Sequence, residues 1–291
     1  MKNLKYIFLT LIVSFLLYGC PDDGLPEVEP YDHKTQALKD GDSLTKFLTN
    51  HYYNVVLDSV KKIENGETPL INDANLFSKT VTEELEDIDV ELTYYYYVNN
   101  IGSPIPNKNH PTVMDSVFVN YGGQYLDGTS SLVTFENNSG VWFTLNGVIR
   151  GWTYGFTHFK GGENITNNGP ITYQNGGKGI LFIPSGLAYK NTGNTTIPGN
   201  ANLLFYIDLW DLVENTDHDN DGVASINEDV DGDGDPRNDD TDGDLIPNFA
   251  DTDDDGDGVL TKDEDANGDG NPANDFTNGG TIPDYLNKDV N

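Results

Sequence analysis

Val141-Trp142-Phe143-Thr144-Leu145-Asn146-Gly147-Val148-Ile149-Arg150-Gly151-Trp152-Thr153-Tyr154-Gly155-Phe156-Thr157-His158-Phe159 changes its apolar period halfway along. Val141, Phe143 and Leu145 fall at every second position, which puts them on one face of a strand. Ile149, Trp152, Phe156 and Phe159 are spaced 3, 4 and 3 apart, which is one face of a short helix. Working outward, Val117, Val119 and Tyr121 alternate, Gly179 to Pro184 is a short apolar run, and Leu203, Phe205, Ile207 and Leu209 alternate again. Residues 88–98 are an aromatic-rich strand candidate, broken by Pro104 and Pro106. Strands with one short helix between them predict an α+β domain, the helix packed on one face of an antiparallel sheet. The Gly- and Asn-rich stretch 161–178 reads as a long flap. Upstream, residues 35–53 have a helical pattern (Leu38, Leu44, Phe47, Leu48, Tyr52), with Asp42-Ser43 offering an N-cap. Residues 54–85 show no clear period.

From Asp115 to Leu212 the order of motifs resembles the FKBP-type peptidyl-prolyl isomerase family. The residues that carry the resemblance are Val119-Asn120-Tyr121-Gly122, Leu126-Asp127-Gly128-Thr129, Val141 to Leu145, Val148-Ile149-Arg150-Gly151-Trp152, Ile183-Pro184-Ser185-Gly186-Leu187-Ala188-Tyr189, and Ile197-Pro198 through Leu203-Leu204-Phe205. Taken singly each aromatic reads as core; the order of the set is what is specific. The resemblance implies an FKBP-like antiparallel sheet wrapped on one short helix, with an apolar pocket between them. It gives pocket roles to Tyr121, Phe135, Phe143, Val148, Ile149, Trp152, Tyr189, Ile197 and Phe205. In that arrangement Trp152 is the floor, and the Ile149 N–H and the Tyr189 hydroxyl hydrogen-bond substrate carbonyls.

Three features depart from the family pattern. Glu136 stands where the family has Asp, after a five-residue insertion from Ser130 to Thr134. Lys190 stands where Gly is usual, and the 161–178 segment is enlarged. The first two keep a second reading open, an FKBP-like binding module without activity, serving cell-surface adhesion or assembly. The chemistry implied needs no cofactor. Rotation about an X–Pro bond is opposed by amide resonance, a barrier of roughly 18–20 kcal/mol, and an apolar pocket that fits the twisted amide lowers it. In keeping with that, the five His (33, 51, 110, 158, 218) are scattered and no nucleophile cluster is evident.

The C-terminal region repeats itself at an offset of 36 residues: Asp217-His218-Asp219-Asn220-Asp221-Gly222-Val223 recurs as Asp253-Asp254-Asp255-Gly256-Asp257-Gly258-Val259, and Glu228 recurs as Glu264. Within each loop the spacing follows EF-hand numbering. Carboxylates from Asp217, Asp219, Asp221 and Glu228, the Val223 carbonyl and the Ser225 hydroxyl make one calcium set. Asp253, Asp255, Asp257, Glu264, the Val259 carbonyl and Thr261 make the second. Asp240, Asp242 and Asp244 mark an intervening site. Flanking helices are missing and Gly and Pro follow instead, which resembles thrombospondin type 3 repeats. The expected result is a calcium-ordered, irregular region in which the metal is structural. None of the pocket residues is a ligand, so the two regions read as independent.

Of the net charge of −32, residues 214–291 carry −22, from 25 acidic against 3 basic residues. Such a balance excludes nucleic acid as a partner, because phosphate binding needs a basic footprint. At the N-terminus, Lys2 and Lys5 precede an apolar stretch from Tyr6 to Tyr18 that is short for a membrane span. Leu17-Tyr18-Gly19-Cys20 resembles a bacterial lipobox, which implies acylation of Cys20, the chain's single cysteine. The following Pro21-Asp22-Asp23-Gly24 resembles a surface-export signal. The expected organisation is a lipoprotein signal peptide (1–20), a tether and N-terminal helical region (21–87), an isomerase domain (88–214) and acidic calcium repeats (215–291). The expected setting is an outer-membrane lipoprotein, periplasmic-facing or cell-surface, acting on proline-containing polypeptides.

Overall fold

Ile180-Leu181-Phe182-Ile183 is buried on both sides, and the architecture follows from what covers each side. The computed structural model describes residues 30–290; the signal segment, Cys20 and the first part of the tether lie outside them. Helix α1 (His33–Asn50) is followed by the hairpin β1 (His51–Asn54) and β2 (Ser59–Lys62). Strands β3 (Leu76–Leu85), β4 (Ile88–Asn100), β5 (Ser116–Leu126) and β6 (Leu132–Thr144) precede helix α2 (Arg150–Phe156). The short pair β7 (Glu163–Asn164) and β8 (Tyr173–Gln174) lies in the flap, and β9 (Gly177–Ile183) and β10 (Leu203–Val213) complete the strands. Six of them form one antiparallel sheet in the order β3-β4-β9-β10-β5-β6.

Successive side chains of a strand point to opposite faces. Leu181 and Ile183 of β9 join Leu203, Phe205 and Ile207 of β10, Val117, Val119 and Tyr121 of β5, and Trp152 and Phe156 of α2 in one core. Ile180, Phe182 and Leu204 face the other way and join Leu44, Phe47 and Leu48 of α1. The second face is why β9 reads as a continuous apolar run. The fold is α+β as expected, but the sheet carries a helix on each face. All three α1 side chains are fully buried, and each stabilises by roughly 1.5–3 kcal/mol, so α1 is an integral layer.

Several boundaries differ from the sequence reading. The sheet begins upstream of residue 88, because β3 pairs with β4 along its whole length. Its residues are mostly exposed, which left no apolar period to read. α1 starts before Asp42-Ser43 and ends at Asn50, and Tyr52 and Tyr53 belong to β1. α2 is shorter than its aromatic spacing suggests. Ile149 is its N-cap, with extended ψ, and Phe159 lies beyond the C-cap Thr157. His33–Asn291 form one compact unit, which includes the acidic repeats. Among the described residues no helix is long and apolar enough to cross a membrane.

Just past α2, the His158 ring stacks on Tyr96 with ring centres 3.7 Å apart and takes a 2.8 Å hydrogen bond with Tyr94 Oη. Burial, aided by Lys79, lowers its pKa to about 4. The folded state therefore holds it neutral, while the unfolded chain protonates it near pH 6.5. Its contribution is complete above pH 6.5 and is lost as pH falls towards 4. Denaturant titrations should show the stability advantage of wild type over His158→Gln shrinking across that interval; an advantage constant with pH would contradict the assignment.

Candidate functional site

β5, β6, β10 and α2 each send an aromatic side chain to one point. Trp152 is 4 % exposed and meets Tyr121 at 4.7 Å, Phe205 at 5.1 Å, Phe156 at 5.2 Å and Phe143 at 5.4 Å between ring centres, all edge-on. Edge-to-face contacts align the positive rim of one ring with the negative face of another. Val148, Ile149, Phe135, Phe143 and Tyr189 pack against this core half-buried, and Ile197 is buried in it. The pocket residues expected from the sequence are therefore brought together.

Phe135 arrives by a route that was not legible. In the β5–β6 pairing Gly123 opposes Glu136 and Gln124 opposes Thr134, so Phe135 is the extra residue of a bulge. It packs edge-on against Phe205 at 5.7 Å. Gly123 makes room for this: a Cβ there would lie 2.5 Å from Phe135 Cζ and 2.8 Å from Phe205 Cε1. Gly123 is thus a site residue that sequence reasoning missed. Beyond the bulge Glu136 lies opposite Gly123, in a regular strand position.

Polar groups line the rim. Asn138 Nδ2 donates to Tyr121 Oη at 2.9 Å and to Glu136 Oε1 at 2.5 Å. Burial, together with the Glu136 carboxylate, pushes the Tyr121 hydroxyl up to about 12. Burial and the same carboxylate raise Tyr189. Both hydroxyls stay protonated at neutral pH and remain available as donors. The Ile149 N–H, at the N-cap, falls outside the intrahelical ladder.

Tyr189 is held from the far side of the sheet. It follows a turn at Ser185–Leu187, and Ser185 donates through N (2.9 Å) and Oγ (2.6 Å) to Asp40 Oδ2 of α1. Asn202 Nδ2 bonds the Asp40 carbonyl at 3.2 Å. Lys190 has φ +54°, a left-handed conformation that glycine adopts without cost. Lysine holds here a backbone shape that a glycine would take freely.

Helix α2 is tied to the acidic repeats. Arg150, its first residue, bonds Glu83 of β3 at 2.8 Å, Tyr154 Oη at 2.6 Å and Asp235 at 3.1 Å. Asp235 is also paired with Arg237. At the β5 end, the Thr216 N–H donates to Asp115. The expectation of two independent regions is corrected: a salt bridge joins the pocket helix to the repeats.

Within the repeats, oxygens of Asp217, Asp219 and Asp221 come within 4.8 Å of one another, as do those of Asp240, Asp242 and Asp244 and those of Asp253, Asp255 and Asp257. A fourth cluster, Asp229, Asp231 and Asp233, was not expected from the sequence. Buried oxygens of Asp219, Asp221, Asp253, Asp255, Asp257, Glu228 and Glu264 have no hydrogen-bond partner among the described residues. Burial and neighbouring carboxylates raise Asp219 and Glu264 to about 7. Unpaired buried carboxylates are costly, and oxygen-only donor sets suit a hard cation such as calcium. The Val223 residue is fully buried beside the first cluster and Val259 is half-buried at the second. Ser225 and Thr261 are both buried in their loops. Their hydroxyls bond His218 Nδ1 (2.9 Å) and Asp254 Oδ2 (2.8 Å), each the side chain at the second loop position.

The chain is similar in sequence to known proteins over this region. The model of the family described as FKBP-type peptidyl-prolyl cis-trans isomerase matches residues 107–210, and one described as BamM C-terminal matches residues 218–269. The FKBP-type peptidyl-prolyl cis-trans isomerase FkpA of Aeromonas hydrophila is 35% identical over 197 residues, 67% of this chain and 63% of its own. FkpA of Escherichia coli (strain K12) is 35% identical over 102 residues, 35% of this chain and 33% of its own, so the chain spans a third of that relative. The crystal structure of FkpA from Escherichia coli aligns with a TM-score of 0.36 at 24% identity, covering 62% of this chain and 63% of that one. FK506-binding protein 2 of Debaryomyces hansenii is 33% identical over 107 residues, 36% of this chain and 69% of that protein. With that coverage, and with the aromatic cluster around Trp152 in place, the chain belongs to the FKBP-type peptidyl-prolyl cis-trans isomerase family.

Proposed function

We propose that the pocket around Trp152 catalyses cis/trans isomerisation of X–Pro bonds and assists the folding of exported polypeptides. A lipid on Cys20 holds the chain at the outer membrane, facing the periplasm or the cell surface. Calcium orders the C-terminal repeats, which resemble thrombospondin type 3 repeats. The observation that supports the isomerase reading best is the ring of Tyr121, Phe143 and Phe205 around the buried Trp152, with the Ile149 N–H and the Tyr189 hydroxyl at its rim.

A proline ring seated on Trp152 loses its water, and so does the adjoining carbonyl. Desolvation weakens the charge-separated resonance form that keeps the amide planar. Donors at Ile149 and Tyr189 hold the flanking carbonyls while the bond turns. Nothing in this scheme needs a proton transfer, and both tyrosines stay protonated as donors.

The purified chain should accelerate exchange of a Leu-Pro or Phe-Pro peptide in a protease-coupled assay. Trp152→Ala removes roughly 2–3 kcal/mol of apolar contact and should lower kcat/KM about 30-fold or more. Gly123→Ala drives a methyl into Phe135 and Phe205, so it should cost about 1–3 kcal/mol of stability and lower activity as the rings move into the groove. No acceleration by folded wild-type protein would favour the binding-module reading. For the anchor, Cys20→Ser should move the protein from the membrane fraction to the soluble fraction. Unchanged fractionation would refute it.

A further inference from the structure

We propose that Asp254, carried by the second repeat, completes a cation site with Asp221 and Glu228 of the first repeat, so that one calcium ion pins the two repeats together. The inference rests on the calcium reading of the repeats and adds a ligand that the loop numbering does not supply. One carboxylate oxygen from each of the three residues lies within 4.8 Å of the others. Oxygens sharing a calcium at 2.3–2.6 Å stand at most roughly 4.6–5.2 Å apart, so one ion can touch all three.

Burial separates this cluster from an ordinary acidic surface. Asp221 is 1 %, Glu228 0 % and Asp254 1 % exposed. Each short side chain is aimed by one hydrogen bond that leaves its other oxygen free. Asp221 Oδ1 accepts from the Val223 N–H at 2.8 Å, and Asp254 Oδ2 accepts from Thr261 Oγ1 at 2.8 Å. The remaining oxygens, Asp221 Oδ2, Asp254 Oδ1 and both of Glu228, are buried with no hydrogen-bond partner among the described residues. None of the three carboxylates takes part in an ion pair among the described residues. Three buried charges of one sign facing each other are tenable only around a cation or with added protons.

The repeat does not carry this carboxylate at its other equivalent positions. Asp254 is the second residue of its loop, and its counterpart 36 residues earlier is His218. The position 36 residues later, which would serve Asp257 and Glu264 in the same way, is Val290. The first loop thus receives a carboxylate from the second position of its successor, and the equivalent position beyond the second loop carries none. Tyr285, which is buried and feels the charges of Asp254, Glu228 and Asp221, offers an optical reporter beside the site.

The test titrates the full chain, stripped of metal, with calcium by calorimetry and counts ions by native mass spectrometry. Terbium luminescence excited through tyrosine follows the same titration. Asp254→Asn keeps an acceptor for Thr261 and removes one charge; Asp263→Asn removes a charge from an exposed position in the same repeat. Asp254→Asn should lose one ion or weaken one site at least tenfold, and should open residues 229–252 to protease in calcium, while Asp263→Asn behaves as wild type. Wild type that binds no calcium overturns the calcium reading and the bridge with it. Calcium binding by wild type with unchanged stoichiometry and affinity in Asp254→Asn overturns the bridge alone. Should Asp254→Asn fail to fold, a calcium-soaked crystal of wild type decides: an ion ligated by Asp254 is expected, and an ion ligated by the first repeat alone is the contrary result.

Discussion

The close packing of α2 on β9 is the contact from which the site is built. Gly151 and Gly155 face the strand, and a Cβ at either would fall 2.3 Å from Ile183 or 2.6 Å from Leu181. Without those methyls the helix sinks onto the sheet, and Trp152 is set within reach of β5, β6 and β10 together. Were the helix held higher by larger residues, the rings of Tyr121, Phe143 and Phe205 would lose their common partner. The pocket floor is therefore a consequence of two absent side chains as much as of the aromatic ones.

The second face of the sheet supports the first. β9 is apolar on both sides, so the α2 side is well formed only if Ile180 and Phe182 are covered as well, and α1 does this with Leu44, Phe47 and Leu48. The same helix reaches over the sheet's end through Asp40, whose carboxylate is buried, raised by that burial, and bonded twice by Ser185. Asp40 thereby steadies the turn that presents Tyr189. The N-terminal helix acts as part of the isomerase fold, since the rim of the pocket hangs from it.

What was legible in the sequence was whatever one strand or one helix turn could express alone. Tyr121, Phe143 and Phe205 declare themselves by alternation, Trp152 by helical spacing, and their joint role by motif order. β3 was not legible, because an edge strand facing solvent on most positions has no apolar period. The family resemblance gives Phe135 a pocket role, but the bulge that turns it there depends on pairing with β5. Asp254 escaped for a similar reason. Loop numbering counts ligands within one repeat, and its partners Asp221 and Glu228 sit in the other. The Arg150–Asp235 pair joins residues 85 positions apart, and no local pattern announces such a contact.

That pair also sets how strongly the repeats can act on the pocket. Arg150 does not depend on Asp235 alone: Glu83 and the Tyr154 hydroxyl hold the same guanidinium from within the sheet and helix. Asp235 in turn is shared with Arg237. A partly exposed ion pair with alternative partners on both sides contributes about 0–1 kcal/mol, which is less than a tenfold effect on any equilibrium. The apparent conflict between a chain that reads as two independent regions and a structure that joins them resolves on that magnitude. Loosening the repeats removes Asp235 from Arg150 and leaves its bond to Glu83, while Gly151, Gly155 and the β9 contact, which place Trp152, stay as they are.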